Sequence, residues 1–237
     1  MRVLQEGHLY QITFMPNFFP VSCYLVEEKD GLTLIDAALP YSMKGILQTA
    51  NKIGKRINRI VLTHGHGDHV GALDALKEQL PDVPVYISAR DNRLLAGDRS
   101  LDEHEANKPI RGGVPKKVKT RADILLKDGD EIGSLLTISS PGHTPGSMSF
   151  LDSRTHALIV GDAFQTKGGL AVTGQMRPLF PFPAMATWDK QKAVESAKKL
   201  VACKPTILAV GHGKMIKNPI SLLEKAVEEA EKRNKEN

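Results

Sequence analysis

"VLTHGHGDHVGALDAL", residues 61–76, sets three histidines and one aspartate within six positions, directly behind an apolar run. Histidine and aspartate are middling helix formers, and a packed core has no use for four adjacent polar heads. The run that leads in, "INRIVLT" (57–63), has the character of a central strand buried on both faces. Behind the polar cluster, from near Val70, Leu73, Leu76 and Leu80 fall on one helical stripe. Buried strand, polar turn and helix in succession point to an α/β fold with its chemistry at the C-terminal mouth of a strand.

The same alternation extends in both directions. Upstream, "LYQITF", "VSCYLVE" and "GLTLIDAAL" read as strands, and a helix is expected from Ser42 to Ile53 with Ile46, Leu47, Ala50 and Ile53 on one face. Downstream come a strand "VPVYIS", a short helix over Asp91 to Leu95, and a polar, aperiodic stretch over 97–120. Strands resume with "ADILL", "SLLTISS", "GSMSFLD" and "HALIVGD". A helix from Trp188 to Ala202, capped by Thr187, precedes the buried strand "PTILAVGHG". A last amphipathic helix begins at Asn218-Pro219, a cap residue followed by proline at the first helical position. Each half supplies strands and then helices, with polar motifs at strand ends. The expectation is an αβ/βα sandwich of two mixed β-sheets with helices on the outer faces, forming a single domain over residues 1–237.

Composition bounds the function. With 237 residues, 41% hydrophobic and 25% charged, the chain can bury a sizeable core. Its net charge of +5 is spread thinly. The densest basic clusters, "PKKVKTR" (115–121) and "EKRNKEN", are too short for a nucleic-acid arm. The N-terminus lacks a secretory signal pattern and no apolar run approaches the roughly 20 residues of a membrane span. Cys23 and Cys203 stand in no ligand or disulfide-framework spacing and read as small buried hydrophobes in a reducing compartment. A soluble cytoplasmic protein acting on a small molecule, without membrane or nucleic-acid partners, is expected; the oligomeric state is left open.

Of eight histidines, His64, His66, His69, His143 and His212 fall at the ends of expected buried strands, whereas His8, His104 and His156 read as surface or turn residues. Asp68 shares the first cluster, and Asp162 sits in "LIVGDAF". His64, His66 and Asp68 alternate, so an extended backbone points them the same way, and His69 turns in at the helix start. Neutral imidazole and carboxylate suit zinc, manganese or iron. Seven such groups fit two divalent ions if one carboxylate is shared. A hydroxide held between ions about 3.5–4 Å apart is a strong nucleophile at neutral pH.

"THGHGDH", "SPGHTPGS", "GDAF" and "VGHG", in that order, resemble the metallo-β-lactamase superfamily in its glyoxalase II-like hydrolase branch. "LIDAAL" is similar to the family's early "LIDxG", with Ala38 in place of the glycine. The resemblance implies that His64, His66 and His143 hold a first metal and Asp68, His69 and His212 a second, with Asp162 bridging. Asp36 would orient a ligand histidine. Two zinc ions, with manganese or iron as alternatives, would then support hydrolysis of a small ester, thioester or lactone, and Asp68 would also serve catalysis by passing a proton to the leaving group.

Several features narrow the substrate. True β-lactamases of this fold lack the bridging aspartate that Asp162 supplies. Only 25 residues follow His212, which argues against the helical domain of glyoxalase II. The family's homoserine-lactone lactonases place a tyrosine shortly after the bridging aspartate, where Phe164 and Gln165 stand here. A ribonuclease Z-type phosphodiesterase and a mononuclear iron persulfide dioxygenase stay open as alternatives. In "FPFPAMATW", Phe180, Phe182, Met185 and Trp188 either form an apolar lid over a small acyl substrate or pack the 166–187 loop against the sheet. Arg177 and Lys167 either meet a substrate carboxylate or are solvated.

Overall fold

The computed structural model describes residues 1–116 and 118–236. Lys117, in the basic cluster 115–121, and Asn237, in the C-terminal charged run, lie outside the described residues. The chain divides into two compact units, Met1–Asp98 with Gly113–Leu126, and Arg99–Gly112 with Lys127–Asn237.

The first unit holds one mixed sheet. Its strands are β1 (Arg2–Glu6), β2 (Leu9–Phe14), β3 (Val21–Glu27), β4 (Leu32–Ile35), β5 (Ile57–Val61), β6 (Val85–Ser88) and β7 (Ile124–Leu126), side by side in chain order. The first four pair antiparallel and β4 through β7 parallel. Register fixes the faces. The pairs Ile12↔Cys23 and Phe14↔Val21 feed the apolar cluster, while Gln11↔Tyr24 and Thr13↔Ser22 carry a buried polar set on the other parity. The Gln11 amide donates to Ser22 Oγ and Tyr24 OH, at 3.2 and 2.9 Å. That set is why "LYQITF" keeps polar residues at interior positions: each one meets a hydrogen-bonding neighbour. The sequence does not signal β1, because an edge strand needs no buried face and "RVLQE" shows little apolar character.

Helix α1 (Met43–Ile53) packs Ile46 and Ala50 into that core, as its periodicity predicts. It stops at Gly54, whose left-handed φ of 80° lets its N–H bond the carbonyls of Ala50 and Asn51. The helix expected from Val70 is two pieces, α2 (Gly67–Val70) and α3 (Leu73–Gln79). The break has a local cause: Gly71 N–H is diverted to Ala38 O at 2.8 Å, so the helical ladder lapses for one turn. Helix α4 (Ala89–Leu95) follows β6, capped by Ser88, whose hydroxyl accepts from Asp91 N. Residues 97–120 contain neither helix nor strand among the described residues, as their composition suggested.

The second unit holds a six-stranded mixed sheet. In chain order the strands are β8 (Glu131–Ile132), β9 (Leu135–Ser139), β10 (Met148–Asp152), β11 (Ala157–Ile159), β14 (Ile207–Ala209) and β15 (Ile216–Lys217); in space they run β15-β14-β11-β10-β9-β8. Between β11 and β14 the chain forms the ribbon β12 (Phe164–Gln165) with β13 (Ala171–Val172), then helices α5 (Phe182–Ala186) and α6 (Lys190–Ala202). β11 and β14 are parallel neighbours, and all other sheet pairs here are antiparallel. Helix α6 and the C-terminal α7 (Ile220–Lys235) bury Ala193, Val194, Ala197 and Leu200, and Leu223, Val227 and Ala230, in one cluster with Leu158, Val160, Leu208 and Val210.

Two helix starts differ from expectation. Helix α6 is capped by Asp189, whose carboxylate accepts from Gln191 N and Lys192 N at 2.8 and 3.2 Å; the Thr187 hydroxyl is engaged elsewhere, as described below. Helix α7 begins at Ile220 rather than at Pro219. Asn218 has a left-handed φ of 49°, not the extended backbone of a cap. The two sheets with their helices give the mixed α/β class expected. Both cysteines are free, Cys23 buried and Cys203 half-buried. Burial pushes the Cys23 thiol far above its ordinary range. Among the described residues no helix is long and apolar enough to cross a membrane.

Candidate metal-binding residues

Each unit carries its own cluster, built at the C-terminal ends of neighbouring parallel strands, where α/β sheets gather their chemistry. In the first unit, Asp36 follows β4 and Thr63 follows β5. The strands are locked in register, with Asp36 N–H donating to Val61 O at 2.9 Å. Asp36 adopts a left-handed φ of 62°, which turns its carboxylate across to the neighbouring strand end. There Oδ1 accepts from Thr63 N, and Oδ2 accepts from Thr63 Oγ1 and from His69 Nδ1, all at 2.8 Å. The Thr63 hydroxyl spends its only proton on Asp36, so at its 2.9 Å contact with His64 Nδ1 it must be the acceptor. One carboxylate thereby places the proton of both imidazoles on Nδ1, leaving the lone pair on Nε2.

The rings of His64 and His69 lie 4.1 Å apart, and those of His64 and His66 meet edge to face at 4.9 Å. All three are buried. Asp68 is the most open of the first unit's donors, its side chain 27% exposed, with Oδ2 4.0 Å from His69 Nε2. The loop is fixed from behind: Gly65 N–H donates to the buried Asp91 carboxylate at 2.8 Å, and Gly67 N–H to Gly113 O at 2.7 Å. In the sequence Asp91 stands out only as the start of a short helix. Nothing in its spacing marks it, because the contact spans 26 residues.

In the second unit, Asp162 follows β11 and His212 follows the parallel β14, while His143 lies in the turn between β9 and β10. Asp162 Oδ2 sits 3.3 Å from His143 Nε2 and 3.1 Å from His212 Nε2. A chain of hydroxyls backs His143. Its Nδ1 lies 3.1 Å from Thr173 Oγ1, which lies 2.8 Å from Thr187 Oγ1, which donates to Pro183 O at 2.7 Å. A carbonyl can only accept, so the direction propagates backwards: Thr187 donates to Pro183, Thr173 donates to Thr187, and His143 Nδ1–H donates to Thr173. The Nε2 lone pair of His143 then faces a carboxylate oxygen, an arrangement that a shared cation neutralises. Buried imidazoles with their protons committed to Nδ1, beside carboxylates, are the donor set a divalent ion takes, so these residues fit a metal.

His212 is positioned through its backbone and its ring. Its carbonyl accepts from Thr166 N and Lys167 N at 3.0 and 3.1 Å, and its ring lies 5.3 Å from Phe180. Gly213, at φ 127°, passes so close that a Cβ there would sit 2.0 Å from Thr166 Oγ1. The residues Phe180, Phe182, Met185 and Trp188 divide: Phe180 and Trp188 are buried, while Phe182 and Met185 are half-exposed. Arg177 is tied down, donating to Leu170 O and to Glu229 at 2.6 and 3.0 Å. His8, His104 and His156 are exposed.

Comparison with known proteins places the chain in a family. The family model described as the metallo-beta-lactamase superfamily matches residues 16–212. YobT of Bacillus subtilis (strain 168) is 54% identical over 98% of this chain and 100% of its own length. The probable metallo-hydrolase YflN of the same organism is 32% identical over 80% of this chain and 78% of its own. A solved structure, TTHA1623 in a di-iron-bound form, superposes with a TM-score of 0.67 at 26% identity, covering 90% of this chain and 96% of that one. The fold and the His/Asp clusters define a metal-dependent α/β hydrolase class. The chain belongs to the metallo-β-lactamase superfamily.

Proposed function

We propose that this metal-dependent hydrolase takes two divalent ions and cleaves a small ester, thioester or lactone. His64, His66 and His143 hold one ion, Asp68, His69 and His212 the other, and Asp162 is shared. The observation that carries the reading is the direction of the buried hydrogen bonds, which commits the Nδ1 protons of His64, His69 and His143 to Thr63, Asp36 and Thr173. Zinc, manganese and iron all suit these donors.

Bound ions supply Lewis acidity and a water activated at neutral pH. The chain's own residues do the rest. Asp36 and Thr173 keep the imidazoles in the ligating tautomer, and burial of the three histidines in the first unit excludes bulk water from them. Asp68, the open carboxylate, moves a proton to the leaving oxygen or sulfur. In the balanced reaction, water adds its oxygen to the acyl carbon, the acyl C–O or C–S bond breaks, and the leaving group departs protonated. No serine or cysteine nucleophile is required.

The test is elemental analysis of protein purified without chelator, run beside hydrolysis assays on lactones, thioesters and bis-p-nitrophenyl phosphate. Near two ions per chain, with acyl turnover lost in Asp162→Ala, supports the proposal. Turnover of the phosphodiester alone would replace the substrate class, and one iron per chain with oxygen uptake on a persulfide would replace the reaction. A chain that binds no metal, even when metal is supplied, refutes it.

A further inference from the structure

In the second unit, residues 166–189 are tied at both ends to a candidate ligand. Thr166 and Lys167 donate to the His212 carbonyl, and Trp188 N–H donates to the His143 carbonyl at 3.0 Å. Between these anchors, four large apolar side chains stand exposed. Met176, Leu179, Phe182 and Met185 are 49, 83, 49 and 59% exposed, whereas Phe180, Pro183 and Ala184 are buried. The frame beneath them is braced. Gln165 Nε2 donates to the carbonyls of Lys167 and Phe180 at 2.9 and 3.0 Å, and Arg177 is held by Leu170 and Glu229. These apolar side chains therefore project from an anchored scaffold and not from slack chain.

Large apolar side chains held exposed on a braced segment mark a binding face. Continuity identifies what it binds. The Phe182 ring packs at 5.2 Å on Phe180, and the Phe180 ring lies 5.3 Å from His212, so ring contacts run from the exposed Phe182 through Phe180 to a donor side chain. The occupant belongs to the molecule that reacts at that donor. Leucine, phenylalanine and two adaptable methionines, with the one arginine among them neutralised by Glu229, suit a hydrocarbon chain and not a charged group.

We propose that residues 176–185 bind the apolar acyl portion of the substrate, so that the preferred esters, thioesters or lactones carry a chain of several carbons. This rests on the hydrolase reading above. The decisive variant combines Leu179→Ser, Phe182→Ser and Met185→Ser, none of which is a candidate ligand. Hydrolysis of p-nitrophenyl octanoate is compared with that of the acetate. Binding of octanoate is followed separately by fluorescence of Trp188, the only tryptophan in the chain. Wild-type protein is expected to prefer octanoate. The variant should show a roughly tenfold higher KM for the octanoyl ester and a similarly weakened octanoate Kd, and should lose the preference for octanoate over acetate.

Equal handling of octanoate and acetate by the wild type, or an octanoate Kd unmoved in the variant, would overturn the proposal. So would a wild-type dimer that the variant converts to monomer without any change in chain-length preference, since a second copy would then be the occupant. If no ester is hydrolysed but octanoate binds and the variant loses it, the apolar site stands and only the hydrolase reading falls.

Discussion

Thr173→Val interrogates the hydroxyl relay behind His143 with little change of shape. Thr173 is buried and its methyl group is kept, so the perturbation is the loss of one oxygen. Two hydrogen bonds go: the 3.1 Å bond from His143 Nδ1 and the 2.8 Å bond to Thr187 Oγ1. Thr187 keeps its 2.7 Å bond to Pro183 O, and its oxygen lies 3.5 Å from His143 Nδ1, too long to replace Thr173 well. Depriving a buried donor of its acceptor costs about 1–3 kcal/mol, which should appear in urea unfolding of metal-stripped protein. Disturbing the partner of a ligating histidine costs about 10–100-fold in metal affinity, or roughly 1.4–2.7 kcal/mol. Both numbers describe the same lost restraint and should move together. Competition of the stripped protein against a chromophoric chelator for Zn²⁺ reads the second, and Thr173→Ser, which keeps the hydroxyl, should recover most of it. A folded Thr173→Val protein with wild-type zinc affinity would refute the assignment of the relay and of the His143 tautomer.

Other perturbations test the same packing. Gly142→Ala would place a Cβ 2.4 Å from the backbone of Ala193 on α6, at a φ of 141°; because the neighbour is backbone, a loss of at least about 2 kcal/mol is expected in urea unfolding. Gly213→Ala drives a Cβ into Thr166 and Lys167, and should cut zinc affinity by breaking the bonds that hold the His212 carbonyl. Removal of metal by chelator should lower the thermal midpoint and zinc should restore it, by about 2.7 kcal/mol when zinc stands a hundredfold above Kd. Stability should also fall in acid. The Lys199 ammonium beside Asp128 holds that carboxyl below the usual range. Asp74 is likewise held low: burial alone would raise it, but the Thr120 hydroxyl and the Lys119 and Thr120 amides outweigh burial. With depressed folded values, the unfolded chain binds more protons, so this stability is full above the ordinary carboxylate pKa of about 4 and is lost as pH falls through the lowered values. Asp74→Asn should flatten that limb of the stability–pH curve, and an unchanged slope would contradict the assignment.

Much of this was legible because the decisive signals are local. The alternation of "HGHGDH" and the strand-end positions of Asp36, Asp162 and His212 are visible within single elements, and so are the helices α1 and α6 apart from their caps. What the sequence hid was non-local. Asp91 reaches Gly65 across 26 residues, and the Thr173–Thr187 pair spans 14, so neither has a spacing that sequence patterns encode. The Thr187 cap was a reasonable expectation that failed because Asp189 offered an equally good acceptor two residues on, while the Thr187 hydroxyl was committed to the relay. Ala38, where the family resemblance leads one to expect glycine, has a left-handed φ of 52°. The conformation that glycine would supply is retained, and the alanine bears it, with its methyl fully buried in the first unit's core.

The two clusters answer one requirement with different chemistry. A histidine that is to ligate through Nε2 must have a lasting acceptor at Nδ1, and such an acceptor must itself be held. In the first unit a single charged group does this for two imidazoles: Asp36 takes His69 directly and His64 through Thr63, and the backbone N–H of Thr63 fixes the carboxylate. In the second unit the partner at His143 Nδ1 is a neutral hydroxyl. A neutral hydroxyl chain ends on the Pro183 carbonyl, so the proton direction at His143 is set by a backbone group two side chains away. A carboxylate partner makes an imidazole more basic than a hydroxyl partner does. The difference between the two arrangements arises wholly within each unit. Within each unit, then, the tautomer is fixed by that unit's own residues, His64 and His69 by Asp36 and Thr63 and His143 by Thr173, although the partners are distant in sequence.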